Sequence, residues 1–391
     1  MARRNDGMPD EVLEEILSWV PPESLMRFKC VSKSWNALIN SLMEDSAFVN
    51  KHLLHFHINS FSSPCSSLLL FPHRDSRSLS KYAFDLVSSL SLSIDDVAND
   101  RISGLRISPV LPLGMPTMTA KHICHCNGII CVTAHNGDMV LCNPAIKKFR
   151  TIPKPVRVGN YGLMLAVVGV GIGYDSRADD YKVVSIVIEK SWDDGLRLLR
   201  AMLYSTRTDS WRVIGIHLQF DDFPVFDTAV FCKGVIYWTT LNPSCCSFGI
   251  VSFDMADDLF RIIQLPDNVS KEEENIKIAP WNDSVSLFSY PRGHELAFIS
   301  INAWVMDECS NGVGGSCSWI KKLTIGPLEG VGRPWMFWKN DELLMERNDE
   351  RLISYNLQTQ MLRNIAIQGA ERDHYRGSRW IFPYVKSLVS V

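Results

Sequence analysis

The sequence predicts two unlike segments, a small unit of three helices at residues 1–50 and a large all-β, propeller-type repeat domain at residues 66–391. Apolar residues near the N-terminus recur with helical spacing. Beyond residue 66, short β-branched and aromatic runs alternate with Gly, Asn, Asp and Pro, as in strands joined by turns. Residues 51–65 lead into a Ser-rich stretch that we interpret as a linker. The predicted fold class is therefore α+β by segment.

The first segment carries start and stop signals for each helix. Pro9 suits the first turn of a helix, and Pro21-Pro22 ends that helix while Pro22 can open the second. Ser32 is predicted to cap the third helix. The first helix carries one apolar face, formed by Val12, Leu13, Ile16, Leu17 and Val20. The second carries Leu25, Met26 and Phe28, and the third is expected to have Trp35, Leu38 and Ile39 on its inner face. Helices this short bury too little surface to be stable alone, so the unit either caps the larger domain or completes its core against another protein.

The order of residues at 8–50 resembles the F-box, the adaptor-binding module of Skp–cullin–F-box ubiquitin ligases. The matching elements are MPDE (8–11), ILSWVP (16–21), SL (24–25), RFKCVSKSW (27–35) and LI (38–39). Met8 and Val20 stand where Leu is usual in the family. The resemblance implies that this unit binds a Skp-type adaptor and, through it, a cullin.

The same resemblance, carried over position by position, divides the apolar residues into two groups. The residues it implies for adaptor binding are Pro9, Leu13, Ile16, Val20, Pro21 and Leu25. The residues it implies for the core of the F-box are Phe28, Val31 and Trp35.

One pattern recurs four times in the β segment. The copies are CNPAIKKFR (142–150), YSTRTDSWR (204–212), FDMADDLFR (253–261) and YNLQTQMLR (355–363). Two strands joined by a turn of four to five residues would produce this layout. The interval between the last two arginines is about double the others, which indicates a diverged unit near residues 319–325. Spacing of this kind is typical of propeller-type arrays.

The β segment also resembles known families. A Gly before a strand and a Tyr/Trp hairpin are kelch-like, although the double Gly of kelch repeats is missing. Stretches such as NPAIKKFRTIP, GIGYDSRADDYKVV and FDMADDLFRIIQLP resemble the F-box-associated interaction domain of plant F-box proteins. The stretch SLMRFKCVSKSWNALINS with FVNKHLL is similar to the S-locus F-box group, whose members recognise secreted style ribonucleases in self-incompatibility.

Two sequence features invite other chemistries. In the run Val168-Gly169-Val170-Gly171-Ile172-Gly173, Tyr174 stands where a dinucleotide fingerprint needs its last Gly, and residues 179–184 favour a strand. We therefore expect these glycines to let blade strands approach closely. The residues His122, Cys124, His125, Cys126, Cys131 and Cys142 lack the ligand spacing of a zinc site, and most cysteines are expected to be reduced and structural.

Composition narrows the classes of partner. The formal net charge of -3 gives no clustered basic surface, so neither nucleic acid nor membrane is an expected partner. The N-terminus lacks the apolar core of a signal peptide, which favours a cytoplasmic or nuclear location. No nucleophile elbow, HExxH or P-loop motif occurs, and we expect neither a cofactor nor catalysis.

These observations favour a substrate-recognition subunit whose β domain presents loops to an unknown protein target, with a style ribonuclease among the candidates. The candidate loops are 154–162, 189–197, 217–227, 242–248, 268–283, 307–318 and 368–379. Two alternatives stay open. The protein could act with the adaptor as a scaffold outside a ligase, or the β domain could bind a small molecule or glycan.

Overall fold

The computed structural model describes residues 8–62, 67–72, 88–91, 105–109, 120–154, 163–191, 197–216, 218, 224–270, 274–293, 298–307, 317–339, 342–365, 367–368 and 378–391. Four helices precede the strands within these residues: α1 (Asp10–Ser18), α2 (Pro22–Phe28), α3 (Lys33–Glu44) and α4 (Ser46–Ser62). None of the described helices is both long and apolar enough to cross a membrane.

The first three helices begin where the sequence predicted. Pro9 is the N-cap of α1, Pro22 opens α2, and the Ser32 side chain accepts a hydrogen bond from the Trp35 backbone N–H at the start of α3. The linker expected at residues 51–65 is helical up to residue 62, because α4 occupies residues 46–62. The helical unit therefore has four helices, not three.

The β domain follows. Its strands are β1 (Ser67–Pro72), β2 (Ser88–Ser91), β3 (Leu105–Pro109), β4 (Ala120–Cys126), β5 (Ile129–Ala134), β6 (Met139–Asn143), β7 (Lys148–Ile152), β8 (Leu163–Asp175), β9 (Asp180–Ser191), β10 (Arg197–Ser205), β11 (Ser210–Ile214), β12 (Val225–Phe226), β13 (Val230–Cys232), β14 (Val235–Asn242), β15 (Ser247–Asp254), β16 (Leu259–Ile263), β17 (Glu274–Trp281), β18 (Ser284–Pro291), β19 (Phe298–Met306), β20 (Trp319–Glu329), β21 (Val331–Lys339), β22 (Glu342–Arg347), β23 (Leu352–Asn356), β24 (Leu362–Asn364), β25 (Ile367–Gln368) and β26 (Ser378–Tyr384).

Among the described residues these strands form six sheets, which we call blades and which confirm the predicted propeller. Blade I joins β1–β3 to β25 and β26 from the other end of the domain. Blades II (β4–β7), III (β8–β11), IV (β12–β16), V (β17–β20) and VI (β21–β24) each use consecutive strands. The diverged repeat predicted near residues 319–325 is the outer strand of blade V.

The inner strands of neighbouring blades run in the same direction. Asp227 pairs with Lys277 and, further along both strands, the Cys232 thiol donates to the Asp283 carbonyl. The ends of the inner strands also meet between blades I and II, II and III, III and IV, and V and VI. All inner strands therefore end at one face of the ring, which we call the docking face. The inner strands begin at the opposite face, and Asp227 and Lys277 lie nearer to that face.

The recurring motif folds as the predicted hairpin in blades II, III, IV and VI. The sixth motif residue adopts a positive φ in every copy, at Lys147, Asp209, Asp258 and Gln360. The Arg that ends each copy of the motif makes a similar contact in two of the blades. Arg150 of blade II pairs with Asp209 of blade III at 2.6 Å, and Arg212 of blade III pairs with Asp258 of blade IV. In blades II and III the motif arginine thus forms an ion pair with the turn of the next blade.

The glycine run lies in β8 and has the packing role expected of it. A Cβ atom added to Gly169, Gly171 or Gly173 would come within 2.8, 2.6 or 2.9 Å of Phe226, Trp238 or Phe231 respectively, all in blade IV. Such contacts are too short for carbon atoms. Glycine at these positions lets blades III and IV pack closely, and residues 180–191 continue as the expected strand.

Candidate functional site

The helical unit has a core that it shares with the β domain. Its buried residues are Leu17, Leu25, Ile39, Met43, Phe48, Ile146 and Leu388. Five of these belong to the helices, but Ile146 comes from the β6–β7 turn and Leu388 from the segment after β26. The helical unit is therefore seated on blade II at the docking face of the propeller.

The first helix has two unlike faces. Leu17 is buried, and Leu13 and Val20 pack against the shared core. The other side carries apolar residues that stay in water, with exposed fractions of 53% for Met8, 46% for Val12, 46% for Ile16 and 53% for Trp19. We call these four residues the α1 stripe. A contiguous exposed apolar stripe is a common mark of a protein-binding surface.

The residues expected to contact the adaptor do not all share one surface. Pro9, Ile16 and Pro21 are exposed, and Leu13 and Val20 are half-buried. Leu25 is only 1% exposed, because it packs among Leu17, Ile146 and Leu388. This corrects its assignment to the surface: Leu25 is a core residue in this structure.

The residues expected in the core also divide. Phe28 and Trp35 pack against the shared core and meet edge-to-face, with ring centroids 5.6 Å apart. Val31 is 67% exposed and lies in the turn before α3, so its expected core position is wrong. Val12 and Leu17, predicted to share one helical face, differ in burial: Leu17 is in the core and Val12 belongs to the α1 stripe. The signal that identifies the stripe is the spacing of residues 12, 16 and 19, which is that of one helical face; Met8 lies just before the N-cap of α1.

The fourth helix holds α1 from the side. The Trp19 indole stacks on the His55 ring at 3.8 Å between centroids, and Lys51 pairs with Glu15 at 2.5 Å. Hydrogen bonds from the Lys51 and Trp19 side chains lower the pKa of Glu15. His52 is fully buried with its Nε2 2.9 Å from the Val20 carbonyl, and burial lowers its pKa, which favours the neutral ring.

The propeller encloses a central channel with a cavity of about 240 Å³. Residues from β4, β13, β17, β21 and β26 line it, including His125, Phe231, Lys277 and Trp335. Near the opposite face, burial tends to raise the pKa of Asp227, but the charge of Lys277 and hydrogen bonds from Thr228 outweigh it and lower that pKa to about 2. The cavity wall thus offers aromatic faces beside a fixed ion pair.

The cysteines of blade II serve packing. Cys124, Cys126, Cys131 and Cys142 are free and buried, and burial raises the pKa of the Cys126 thiol. His125 points to the other side of β4 and stacks on Phe382. No group of His, Cys, Asp and Glu within the described residues could hold a metal ion. Cys317 is disulfide-bonded, whereas the other cysteines of the described ranges are free.

The candidate target loops fall differently from expectation. Residues 242–248 include the β14–β15 turn, where Cys245 and Cys246 are exposed on the opposite face of the ring. Half of the range 268–283 is not a loop, because residues 274–281 form β17. The remaining candidate ranges lie wholly or partly outside the described residues.

Comparison with known proteins supports both segments. Residues 6–46 match the F-box domain family, and residues 69–391 match the F-box associated beta propeller domain family. An F-box/kelch-repeat protein of Arabidopsis thaliana is 26% identical over 354 residues, with 87% of this chain and 84% of the relative covered. A putative F-box/kelch-repeat protein of the same plant is 25% identical, with 98% of each chain covered. The chain is therefore a member of the F-box associated beta propeller family and carries an F-box domain at its N-terminus.

Proposed function

We propose that this protein is the substrate-recognition subunit of a Skp–cullin–F-box ubiquitin ligase. The α1 stripe would bind the adaptor, and the propeller would bind a protein target. Positioning the target near a ubiquitin-charged enzyme raises its effective concentration there, so the role needs no chemistry from this chain.

The observation that carries the proposal is the α1 stripe itself. Four large apolar side chains are exposed along α1 and at its two ends, within an F-box domain. Their neighbours Pro9 and Pro21, at the two ends of α1, are exposed as well. Because the inner face of α1 is already satisfied by the shared core, the stripe is available to a separate protein.

The seating of the helical unit favours the opposite face of the propeller for the target. The F-box occupies the docking face over blade II, so an adaptor bound to α1 would extend from that side. The opposite face carries the β14–β15 turn, and the Asp227–Lys277 pair lies nearer to that face. A target bound there would not collide with the adaptor.

The direct test is adaptor binding by Ile16→Asp, compared with Ile262→Asp as the control. The two isoleucines are similarly exposed, at 46% and 48%, but Ile262 lies on β16 of the propeller. A charge in an apolar interface should cost about 2 kcal/mol or more, which is roughly a thirtyfold loss of affinity. Ile262→Asp should bind the adaptor as wild type does. Equal binding by both variants would remove the stripe as the contact surface.

The same pair of variants separates adaptor from target in a plant extract. Proteins retained by Ile16→Asp as well as by wild type are target candidates, and a style ribonuclease is the first to examine because of the S-locus resemblance. Cullin recovered with wild type, together with ubiquitin transfer to a retained protein, would support a ligase subunit. Adaptor recovered without cullin would favour the scaffold alternative.

A further inference from the structure

The segment after β26, residues 385–391, runs between the F-box and the propeller as an extended strip, which we call the tail. Ser387 and Leu388 are fully buried and Val389 is nearly so. Successive side chains of an extended chain point to opposite sides. Accordingly Leu388 packs in the core of the helical unit, whereas Val389 packs in the core of blades II–IV.

On the propeller side, Asn143 holds the tail. Its Nδ2 group lies 3.1 Å from the Ser387 carbonyl, 3.1 Å from the Ser387 hydroxyl and 2.8 Å from the Val389 carbonyl. Gly128 lies against the same segment. A Cβ atom there would come within 2.3 Å of the Ser387 hydroxyl and 2.7 Å of the Val385 carbonyl. The seat is thus shaped to one extended peptide.

On the F-box side, Lys386 pairs with Glu23 of α2 at 2.7 Å. Leu388 and Ile146 lie in one buried cluster with Leu17 and Leu25. The tail therefore contributes a charge and an apolar side chain to the helical unit while its backbone carbonyls bind the propeller.

This seat exists in one blade only among the four that share the motif. The fifth motif residue is Ile146 in blade II but Thr208, Asp257 and Thr359 in blades III, IV and VI. In blades II, IV and VI the second motif residue caps the turn. It is Asn143, Asp254 or Asn356, and its Oδ1 atom accepts a hydrogen bond from a backbone N–H of the turn. Of the two asparagines, Asn143 donates from its side-chain amide to the tail, whereas the hydrogen bonds of Asn356 within the described residues stay in its own turn.

We propose that the tail acts as a built-in peptide ligand of a seat formed by blade II and α2, and that its binding fixes the orientation of the F-box on the propeller. Without the tail, the joint would lose Leu388, the Lys386–Glu23 pair and three hydrogen bonds at once. Its consequence for ubiquitin transfer rests on the proposed function: the tail would set the distance between the adaptor and the target.

The sharpest test is Asn143→Asp compared with Asn356→Asp, both in the full chain. Asp254 shows that a carboxylate satisfies this turn position. Asn143→Asp therefore keeps the turn but sets a negative charge against two carbonyls and a hydroxyl of the tail. Asn356→Asp makes the same chemical change where no tail contact exists among the hydrogen bonds of the described residues.

The readout is hydrogen exchange of backbone amides in α2, α3 and the tail, measured against amides in blades IV and V. Asn143→Asp should accelerate exchange in the first group at least tenfold and leave the second group unchanged, whereas Asn356→Asp should alter neither the helices nor the tail. Exchange in α2 equal in the two variants would overturn the proposal. Equal acceleration throughout the propeller would also overturn it, because Asn143 would then support the blade itself.

A second pair tests the seat by steric means. Gly128→Ala and Gly234→Ala introduce the same strain, since both glycines have φ of +83°, but a Cβ atom at Gly234 meets nothing within 4 Å. Only Gly128→Ala should loosen α2 and the tail. Leu388→Asp, with the exposed Ser390→Asp as its control, should do the same from the tail side. If neither Gly128→Ala nor Leu388→Asp changes α2 exchange relative to its control, the tail does not fix the joint.

Adaptor affinity keeps this test separate from the proposed function. The α1 stripe lies outside the seat, so Asn143→Asp should bind the adaptor within about twofold of wild type while its F-box reorients. Spin labels on exposed sites of α3 and blade V would report a broader distance distribution in that variant than in Asn356→Asp. Absence of adaptor binding by wild type would refute the proposed function, and the exchange and distance results would still decide the role of the tail.

Discussion

The helical unit and the propeller complete their cores in different ways. Each blade packs against a neighbour of the same design, and contacts such as the Arg150–Asp209 and Arg212–Asp258 pairs recur from blade to blade. The core of the helical unit instead includes Ile146 from blade II and Leu388 from the tail. Loss of one contact between blades therefore leaves similar contacts elsewhere in the ring. The joint between the F-box and the propeller instead depends on a few side chains that occur once.

The largest effect is expected at the interface between blades III and IV. Trp238 is fully buried, and its Nε1 group donates to the Val170 carbonyl of the neighbouring blade at 3.1 Å. Trp238→Ala should destabilise the β domain by about 3–5 kcal/mol because a large cavity is left between blades. Denaturant unfolding followed by circular dichroism measures this loss. A change below about 1 kcal/mol would mean that blades III and IV tolerate the cavity by collapsing onto it.

Truncation in the shared core should stay local. Leu25→Ala is expected to cost about 2–5 kcal/mol, the usual range for a buried leucine, but mainly within the helices. Hydrogen exchange should accelerate in α1–α3 while blades IV and V keep their protection. Leu54→Ala, at a side chain that is 60% exposed on α4, is the control and should change little. Loss of protection throughout the propeller would show that the two regions unfold as one unit.

The close approach of blades III and IV offers an intermediate test. Gly171→Ala would place a Cβ atom 2.6 Å from the Trp238 ring and should destabilise the β domain by about 1–3 kcal/mol through overpacking. Gly249→Ala is a milder change, because its Cβ would meet only the Thr240 hydroxyl at 3.1 Å. Thermal unfolding of the two variants compares them directly. Equal midpoints would contradict the packing role of the glycine run.

The smallest effect is expected for the ion pair that recurs between blades. Arg150 and Asp209 are both partly exposed, so their pair should contribute about 0.2–1 kcal/mol in a double-mutant cycle. The coupling should shrink as salt is added, because exposed charges are screened. A coupling energy well above this range would indicate that the motif arginine makes a major contribution to the stability of the ring.

Much of the fold could be predicted because its signals are local and repeated. Helix starts at Pro22 and Ser32 follow from capping chemistry, and the hairpins follow from a motif that appears four times. The glycine run was interpretable because Tyr174 excluded the competing fingerprint. In each case neighbouring residues in the sequence carry the information.

The rest depended on contacts between distant residues. Leu25 and Val31 exchange their expected roles because the seat on blade II buries one side of α2 and leaves the following turn in water. Residues 51–65 were interpreted as a linker because of their Ser content. The helix α4 forms there because it packs against α1, which the local sequence does not indicate. One signal for the seat was present: an isoleucine at a turn position where the other copies of the motif have Thr or Asp.

The position of β26 and the tail has a consequence for how the protein is made. These residues leave the ribosome after residues 1–377, yet β26 pairs with β1 and the tail fills the seat beneath the F-box. The β1–β26 pairing and the anchoring of the F-box by the tail therefore cannot form until residues 378–391 have been made. A chain cut short before residue 378 would leave the β1 edge without its β26 partner and the seat on blade II empty.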